Sequence, residues 1–202
     1  MKLYLSTGSC SLSVHIALCE SGLAFSTEKV NLKVSPHLTE SGAQFTSINP
    51  KGYVPALELD NGDILTEGPA IVQYIADLVP EKHLAPANGS MARYRLQEWL
   101  NFIATEIHKS FAPLWNPASS DEMKQAATTR IHSRLDWLAG ELADRPYLMG
   151  EFTVADGYLF TCLNWMNYLK MPVENWPAVK SYLDRVAARE GVARAMKAEG
   201  LA

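Results

Sequence analysis

The sequence predicts two architectures in one chain: an α/β domain over residues 1–80 and an all-helical domain over residues 87–202. Three observations point there. Short strand-like runs alternate with helical patterns through the first part of the chain, as in a sheet with helices on its faces. Val79-Pro80 through Pro86-Ala87-Asn88-Gly89 is dense in chain breakers, which sets a linker at 81–86. Beyond it apolar residues recur at helical spacing, as in Leu96, Leu100, Ile103 and Ile107.

In the first domain the strand candidates are Leu3–Leu5, Ser26–Val30, Ala56–Leu59 and Ile64–Thr66. Asp60-Asn61-Gly62-Asp63 between the last two is a strong hairpin signal. Helices are predicted at Ser11–Ser21, Ser41–Ile48 and Gly68–Leu78, where Pro69 suits a first helical turn. The order β-α-β-α-β-β-α is the thioredoxin-like arrangement of a mixed sheet. In the second domain, helices are predicted at Met91–Phe111, Glu122–Leu142, Val154–Leu169 and Val179–Ala188, with a short piece at Val192–Ala198. Pro113, Pro117, Pro146, Pro172 and Pro177 punctuate them. Thr153 is a good N-cap, and Asp156 three residues later can return a hydrogen bond, so both are read as structural.

The 202 residues are 48% hydrophobic and 20% charged, an ordinary globular composition. Net charge is −4 with scattered cations, whereas a nucleic-acid surface needs them clustered. No apolar run is long enough to span a bilayer, and Met1-Lys2 leads into a strand with no signal-peptide core. The three cysteines, Cys10, Cys19 and Cys162, are too few and too scattered for a disulfide framework, so a reducing cytoplasm is expected. They form no CxxC pair, and no metal site is expected.

Three local features carry chemistry. Gly8-Ser9-Cys10-Ser11 links the first strand to the first helix, so a thiol sits where unpaired backbone N–H groups favour negative charge. The other reading of Cys10 is a small buried hydrophobe. Val54-Pro55 enters a strand, as either a plain trans proline or a cis bond that frees Val54 to pair with an extended ligand. Glu67-Gly68 lies where a strand meets a helix, with Glu67 either a helix-dipole partner or a carboxylate for a ligand's ammonium group.

Gly8-Ser9-Cys10-Ser11, Asn49-Pro50-Lys51-Gly52-Tyr53-Val54-Pro55-Ala56-Leu57, Leu65-Thr66-Glu67-Gly68-Pro69-Ala70-Ile71-Val72-Gln73-Tyr74 and Thr153-Val154-Ala155-Asp156 follow one another at these spacings. The set resembles the cytosolic glutathione S-transferases. With Cys10 and Ile103-Ala104-Thr105-Glu106-Ile107-His108-Lys109-Ser110-Phe111, it resembles their bacterial beta class over essentially the whole chain.

The resemblance implies a thioredoxin-like domain that binds glutathione, a helical domain that supplies a hydrophobic substrate site, and a homodimer. It implies conjugation of glutathione to small hydrophobic electrophiles, with glutathione as cosubstrate, no further cofactor, and detoxification as the setting. Cys10 matches the residue facing the glutathione sulfur, and His108 a histidine near that sulfur. Tyr53, Val54 and Pro55 match the lining of the tripeptide backbone, with Pro55 cis. Glu67 and Gly68 match the γ-glutamyl end, and Asn101 a polar residue reaching the tripeptide. Thr105 and Glu106 match positions that approach the partner subunit's glutathione. The family's lysine for the glycine carboxylate falls in Asn31-Leu32-Lys33-Val34-Ser35-Pro36-His37, where Lys33 is out of register, so Lys33, His37 and Lys51 are the candidates. Phe111, Trp115, Trp165 and Leu169 are the candidate walls of the electrophile site. Cys10 can stabilise a bound thiolate or form a mixed disulfide itself, and a redox cycle then needs an external resolving thiol. Rival readings are a non-catalytic binding or regulatory protein of the same fold, and a glutaredoxin-like reductase.

Overall fold

The computed structural model describes residues 1–201 and resolves the chain into two compact units. The first runs from Met1 to Ala85 and takes in the segment from Arg189 onward, and the second is Pro86–Ala188.

The first unit is a five-stranded sheet in the order β3-β2-β1-β4-β5, with β1 Lys2–Leu5, β2 Ser26–Asn31, β3 Leu38–Thr39, β4 Ala56–Glu58 and β5 Ile64–Thr66. β1 and β2 are parallel, with Leu3 opposite Thr27, and the other three pairings are antiparallel. The parallel pair requires a crossover, which α1 (Leu12–Ser21) provides. Side chains alternate along β1. Leu3 and Leu5 are buried on the side that α1 covers. Tyr4 packs opposite them with Val30, Phe45, Val54 and Ala56, and its hydroxyl donates to Glu58 Oε2 at 2.7 Å. α2 (Gly68–Asp77) lies against α1 and turns Ile71, Val72, Ile75 and Ala76 inward. The two-residue β3 adds to the predicted strands, and the helix expected at Ser41–Ile48 is a single 3₁₀ turn at Phe45–Ser47.

One element departs from the expected division at residue 87. Helix α8 (Glu190–Glu199) packs on α1 and clusters with the sheet. A β-carbon on Gly191 would fall 2.7 Å from Glu20 Cδ and Cγ, so a larger residue there would have to push the Glu20 side chain aside. Arg189 closes the contact by donating from Nε and Nη2 to the two Glu20 carboxylate oxygens at 2.9 and 2.7 Å.

The second unit holds α3 (Met91–Phe102), α4 (Ala112–Trp115), α5 (Asp121–Glu141), α6 (Val154–Tyr168) and α7 (Pro177–Ala187). Ser90 and Ser120 cap α3 and α5 by accepting the N–H of Arg93 and Met123. The continuous helix expected at Met91–Phe111 is broken. A π turn occupies Ile103–Ile107 and a 3₁₀ turn His108–Phe111. Pro113 has no N–H to continue the ladder. The Thr105 and Ser110 hydroxyls donate to carbonyls four residues back, at Asn101 and Glu106, a habit that bends helices. At the start of α6, Asp156 accepts the Thr153 N–H at 2.8 Å and its hydroxyl at 3.1 Å. Asp156 also accepts the Leu148 N–H at 2.9 Å and the Tyr182 hydroxyl at 3.1 Å. It is fully buried, and burial pushes its carboxyl pKa up. No helix among the described residues is long and apolar enough to cross a membrane.

Candidate active site

The turn between β1 and α1 is assembled from short-range hydrogen bonds and one long-range hydrogen bond. Ser11 Oγ accepts the Ser6 N–H at 3.1 Å and lies 2.8 Å from Ser9 Oγ. Gly8 takes a φ of 70°, a value that glycine adopts without penalty. Its N–H donates to Glu199 Oε2 at 2.8 Å, across 191 positions of sequence. The other oxygen of Glu199 lies 2.9 Å from His15 Nδ1, and both side chains are almost completely buried. Burial pulls the imidazole pKa down, but hydrogen bonds to Cys19 and Glu199 override it and push the value up to about 9. His15 therefore has a structural role, and α8 anchors the thiol-bearing turn. Nothing local to either Gly8 or Glu199 signals that contact.

Cys10 is half-buried, and its Sγ donates to the Val54 carbonyl at 3.4 Å. Its own carbonyl accepts the Ser13 hydroxyl at 2.7 Å. The Val54–Pro55 peptide is cis, and Val54 stands just outside the β4 ladder, which begins at Ala56. Asn49 is buried, and in the sequence it stands only as the first residue of the Asn49–Leu57 motif, with no role of its own, yet it braces this loop. Its Nδ2 donates to the Tyr53 carbonyl at 2.7 Å and its Oδ1 accepts the Lys51 N–H at 3.1 Å. Gly68 completes the cluster. A β-carbon there would lie 3.8 Å from Ser13 Oγ and 3.9 Å from Pro55 Cγ.

Glu67 caps α2 from a φ of 70°, a region that non-glycine residues rarely occupy and that collects at ligand sites. Its carboxylate is exposed. Oε1 accepts the Lys51 ammonium at 2.5 Å and the Tyr53 hydroxyl at 3.3 Å, and the bond to Glu67 raises the Lys51 pKa. Lys51 thus lies beside Glu67. Lys33 is exposed and lines a separate cavity with Ser6, Thr7, Asn31 and Leu38. His37 Nδ1 lies 2.8 Å from the Val34 carbonyl.

The remaining candidates sit in the helical unit. His108 Nδ1 and the Tyr158 hydroxyl share a 2.7 Å hydrogen bond, and the ring meets Trp165 with centroids 5.0 Å apart. Burial and the nearby charge of Lys109 push the His108 pKa down to about 4, so the ring is neutral near pH 7. Trp165 also meets Phe111 at 5.5 Å and Trp115 at 6.5 Å, both edge to face. Phe111 has no exposed surface and is core rather than a wall open to a ligand, a correction to its candidacy. Trp115 is 48% exposed, and Leu169 closes α6 half-buried. Asn101 and Thr105 are exposed, with the Asn101 amide donating to the Gln97 carbonyl. Glu106 Oε2 accepts Arg130 Nη2 and Arg134 Nη2, each at 2.8 Å. These bonds lower its carboxyl pKa.

A thioredoxin-like sheet thus presents a thiol, a cis-proline loop and a carboxylate at a helix N-terminus together, and a helical unit follows it. Comparison with known proteins gives the family. The glutathione S-transferase N-terminal domain matches residues 7–78 and the C-terminal domain residues 102–190. The chain is 43% identical over 202 residues to glutathione S-transferase GstA of Escherichia coli O157:H7, covering 100% of both. A sphingomonad glutathione S-transferase complexed with glutathione superposes with a TM-score of 0.95 at 49% identity, covering 100% of both chains. The bacterial beta class enzyme of Sphingomonas chungbukensis gives 0.96 at 47%, again over 100% of both. The chain belongs to the glutathione S-transferase family, in its bacterial beta class.

Proposed function

We propose that this glutathione S-transferase binds glutathione along the first unit, with the cysteine backbone at Val54, the γ-glutamyl end at Glu67 and Gly68, and the sulfur at Cys10. The observation that carries this reading is the Cys10 thiol 3.4 Å from the Val54 carbonyl. A ligand pairing with Val54 as an added strand does would bring its own sulfur to that thiol. The glutathione complex of the sphingomonad relative supports the same reading. Glutathione's thiol resembles free cysteine, so it is mostly protonated at neutral pH, and donors near its sulfur raise the thiolate fraction. The thiolate then forms a carbon–sulfur bond with a small hydrophobic electrophile and expels a leaving group, or adds to an activated double bond.

Cys10 also supports thiol–disulfide exchange. Its thiolate attacks glutathione disulfide, the Cys10–glutathione disulfide forms, and glutathione thiolate leaves. On the electrophile side, Trp115, Trp165 and Leu169 supply apolar surface, and a neutral His108, its Nδ1 engaged with the Tyr158 hydroxyl, supplies Nε2. Lys33 and His37 are the candidates for the glycine carboxylate, with Lys51 beside Glu67. A homodimer, in which Asn101, Thr105 and Glu106 serve glutathione, and a detoxifying role in the cytoplasm complete the proposal. Retention on immobilised glutathione with turnover of a chloronitrobenzene supports it. Retention without turnover of any electrophile favours a non-catalytic binding protein.

A further inference from the structure

The pairing of Lys51 with Glu67 carries an inference beyond the placement of the γ-glutamyl end, and rests on that placement. Glu67 is the carboxylate proposed to meet the ligand's ammonium group, yet one of its oxygens already accepts an ammonium group from Lys51 at 2.5 Å. Lys51 Nζ also donates to Thr66 Oγ1 at 3.2 Å, and the Tyr53 hydroxyl donates to Glu67 Oε1 at 3.3 Å. Lys51 and Glu67 are both exposed, so their attraction is screened and exchange of one ammonium group for another is cheap. The loop behind Lys51 is not free to follow its side chain, because buried Asn49 holds the Lys51 N–H and the Tyr53 carbonyl. Only the long, flexible side chain can move.

An α-amino acid terminus carries an ammonium group and a carboxylate on one carbon. When its ammonium group reaches Glu67, its carboxylate arrives within the span of the displaced lysine head. We propose that Lys51 and Glu67 form a recognition pair for this zwitterion: Lys51 occupies Glu67 in the unliganded protein, then passes to the ligand's α-carboxylate as Glu67 takes the ligand's ammonium group. Lys51 is thereby a specificity-determining residue for ligands with a free α-amino acid end. Ligands that lack the α-carboxylate must displace Lys51 with nothing to receive it.

The test is calorimetric titration of the full chain with glutathione, with γ-aminobutyryl-Cys-Gly (glutathione without its α-carboxylate) and with glutaryl-Cys-Gly (without its α-amino group). Lys51→Met is expected to weaken glutathione about tenfold, the loss of one hydrogen bond to a charged group. It should leave γ-aminobutyryl-Cys-Gly unchanged or bound more tightly. Lys51→Arg should restore most of the glutathione affinity. Equal weakening of glutathione and γ-aminobutyryl-Cys-Gly by Lys51→Met, or no weakening of glutathione, overturns the pairing. Glu67→Gln separates the two levels. It should weaken glutathione and γ-aminobutyryl-Cys-Gly but not glutaryl-Cys-Gly, and if it weakens none of them the γ-glutamyl placement falls, and the pairing with it.

Discussion

Replacing Glu199 by Gln removes the carboxylate that faces a buried imidazole. In the folded chain the His15 pKa is pushed from 6.5 up to about 9, against the pull of burial. The native state therefore holds this proton more tightly than the unfolded chain. The resulting stabilisation is fully present below pH 6.5, fades as pH rises, and is gone above about pH 9. Each pH unit between the folded and unfolded pKa contributes about 1.4 kcal/mol, so the whole amounts to about 3 kcal/mol. The assay is urea unfolding at pH 6, 7.5 and 9.5 of the wild type and Glu199→Gln. The wild type should lose stability across that range. The variant should start lower by the share of that stabilisation that Glu199 supplies beside Cys19, and should converge on the wild type at the alkaline end. The neutral amide can still accept the Gly8 N–H, so the comparison isolates the charge. Parallel curves for the two proteins would refute the assignment of the proton to the His15–Glu199 pair.

Asp156→Ala leaves the Leu148 and Thr153 N–H groups and the Tyr182 hydroxyl without their buried acceptor. A loss of at least roughly 3 kcal/mol in chemical denaturation is expected, from about 1–3 kcal/mol for each of the three unsatisfied groups. Asn49→Ala should cost roughly 2 kcal/mol by the same argument and also weaken glutathione binding measured by titration, because it releases the Tyr53 carbonyl. In proton NMR, the His108 ring should show no midpoint between pH 6 and 8 and should titrate instead near pH 4.

The parts of the site read from sequence are those written in neighbouring residues. Cys10 follows a strand and precedes a helix, Val54-Pro55 precedes a strand, and Glu67-Gly68-Pro69 opens a helix, so local turn and capping chemistry places all three at ends of the sheet where they can meet. The Thr153–Asp156 cap is legible for the same reason. What escapes a sequence reading is set by packing between distant segments. Glu199 reaches Gly8 only because α8 lies on α1, and no local pattern separates that helix from those of the second unit. The Lys51–Glu67 pair depends on the cis-proline loop folding back along β5. Phe111 shares helical spacing with Trp115, and spacing alone does not tell a core ring from an exposed one. The break after Phe102 arises from two hydroxyls and one proline whose effects combine only in the folded helix.

The central claim, that Cys10 is the reactive thiol at the glutathione site of a transferase, is tested most directly by intact mass after incubation with glutathione disulfide. Wild type and Cys10→Ala are compared, with chloronitrobenzene conjugation followed in both. The account predicts that the wild type conjugates and gains one glutathionyl group, and that Cys10→Ala gains none. An adduct of equal size on Cys10→Ala, or no adduct and no conjugation by the wild type, would contradict it.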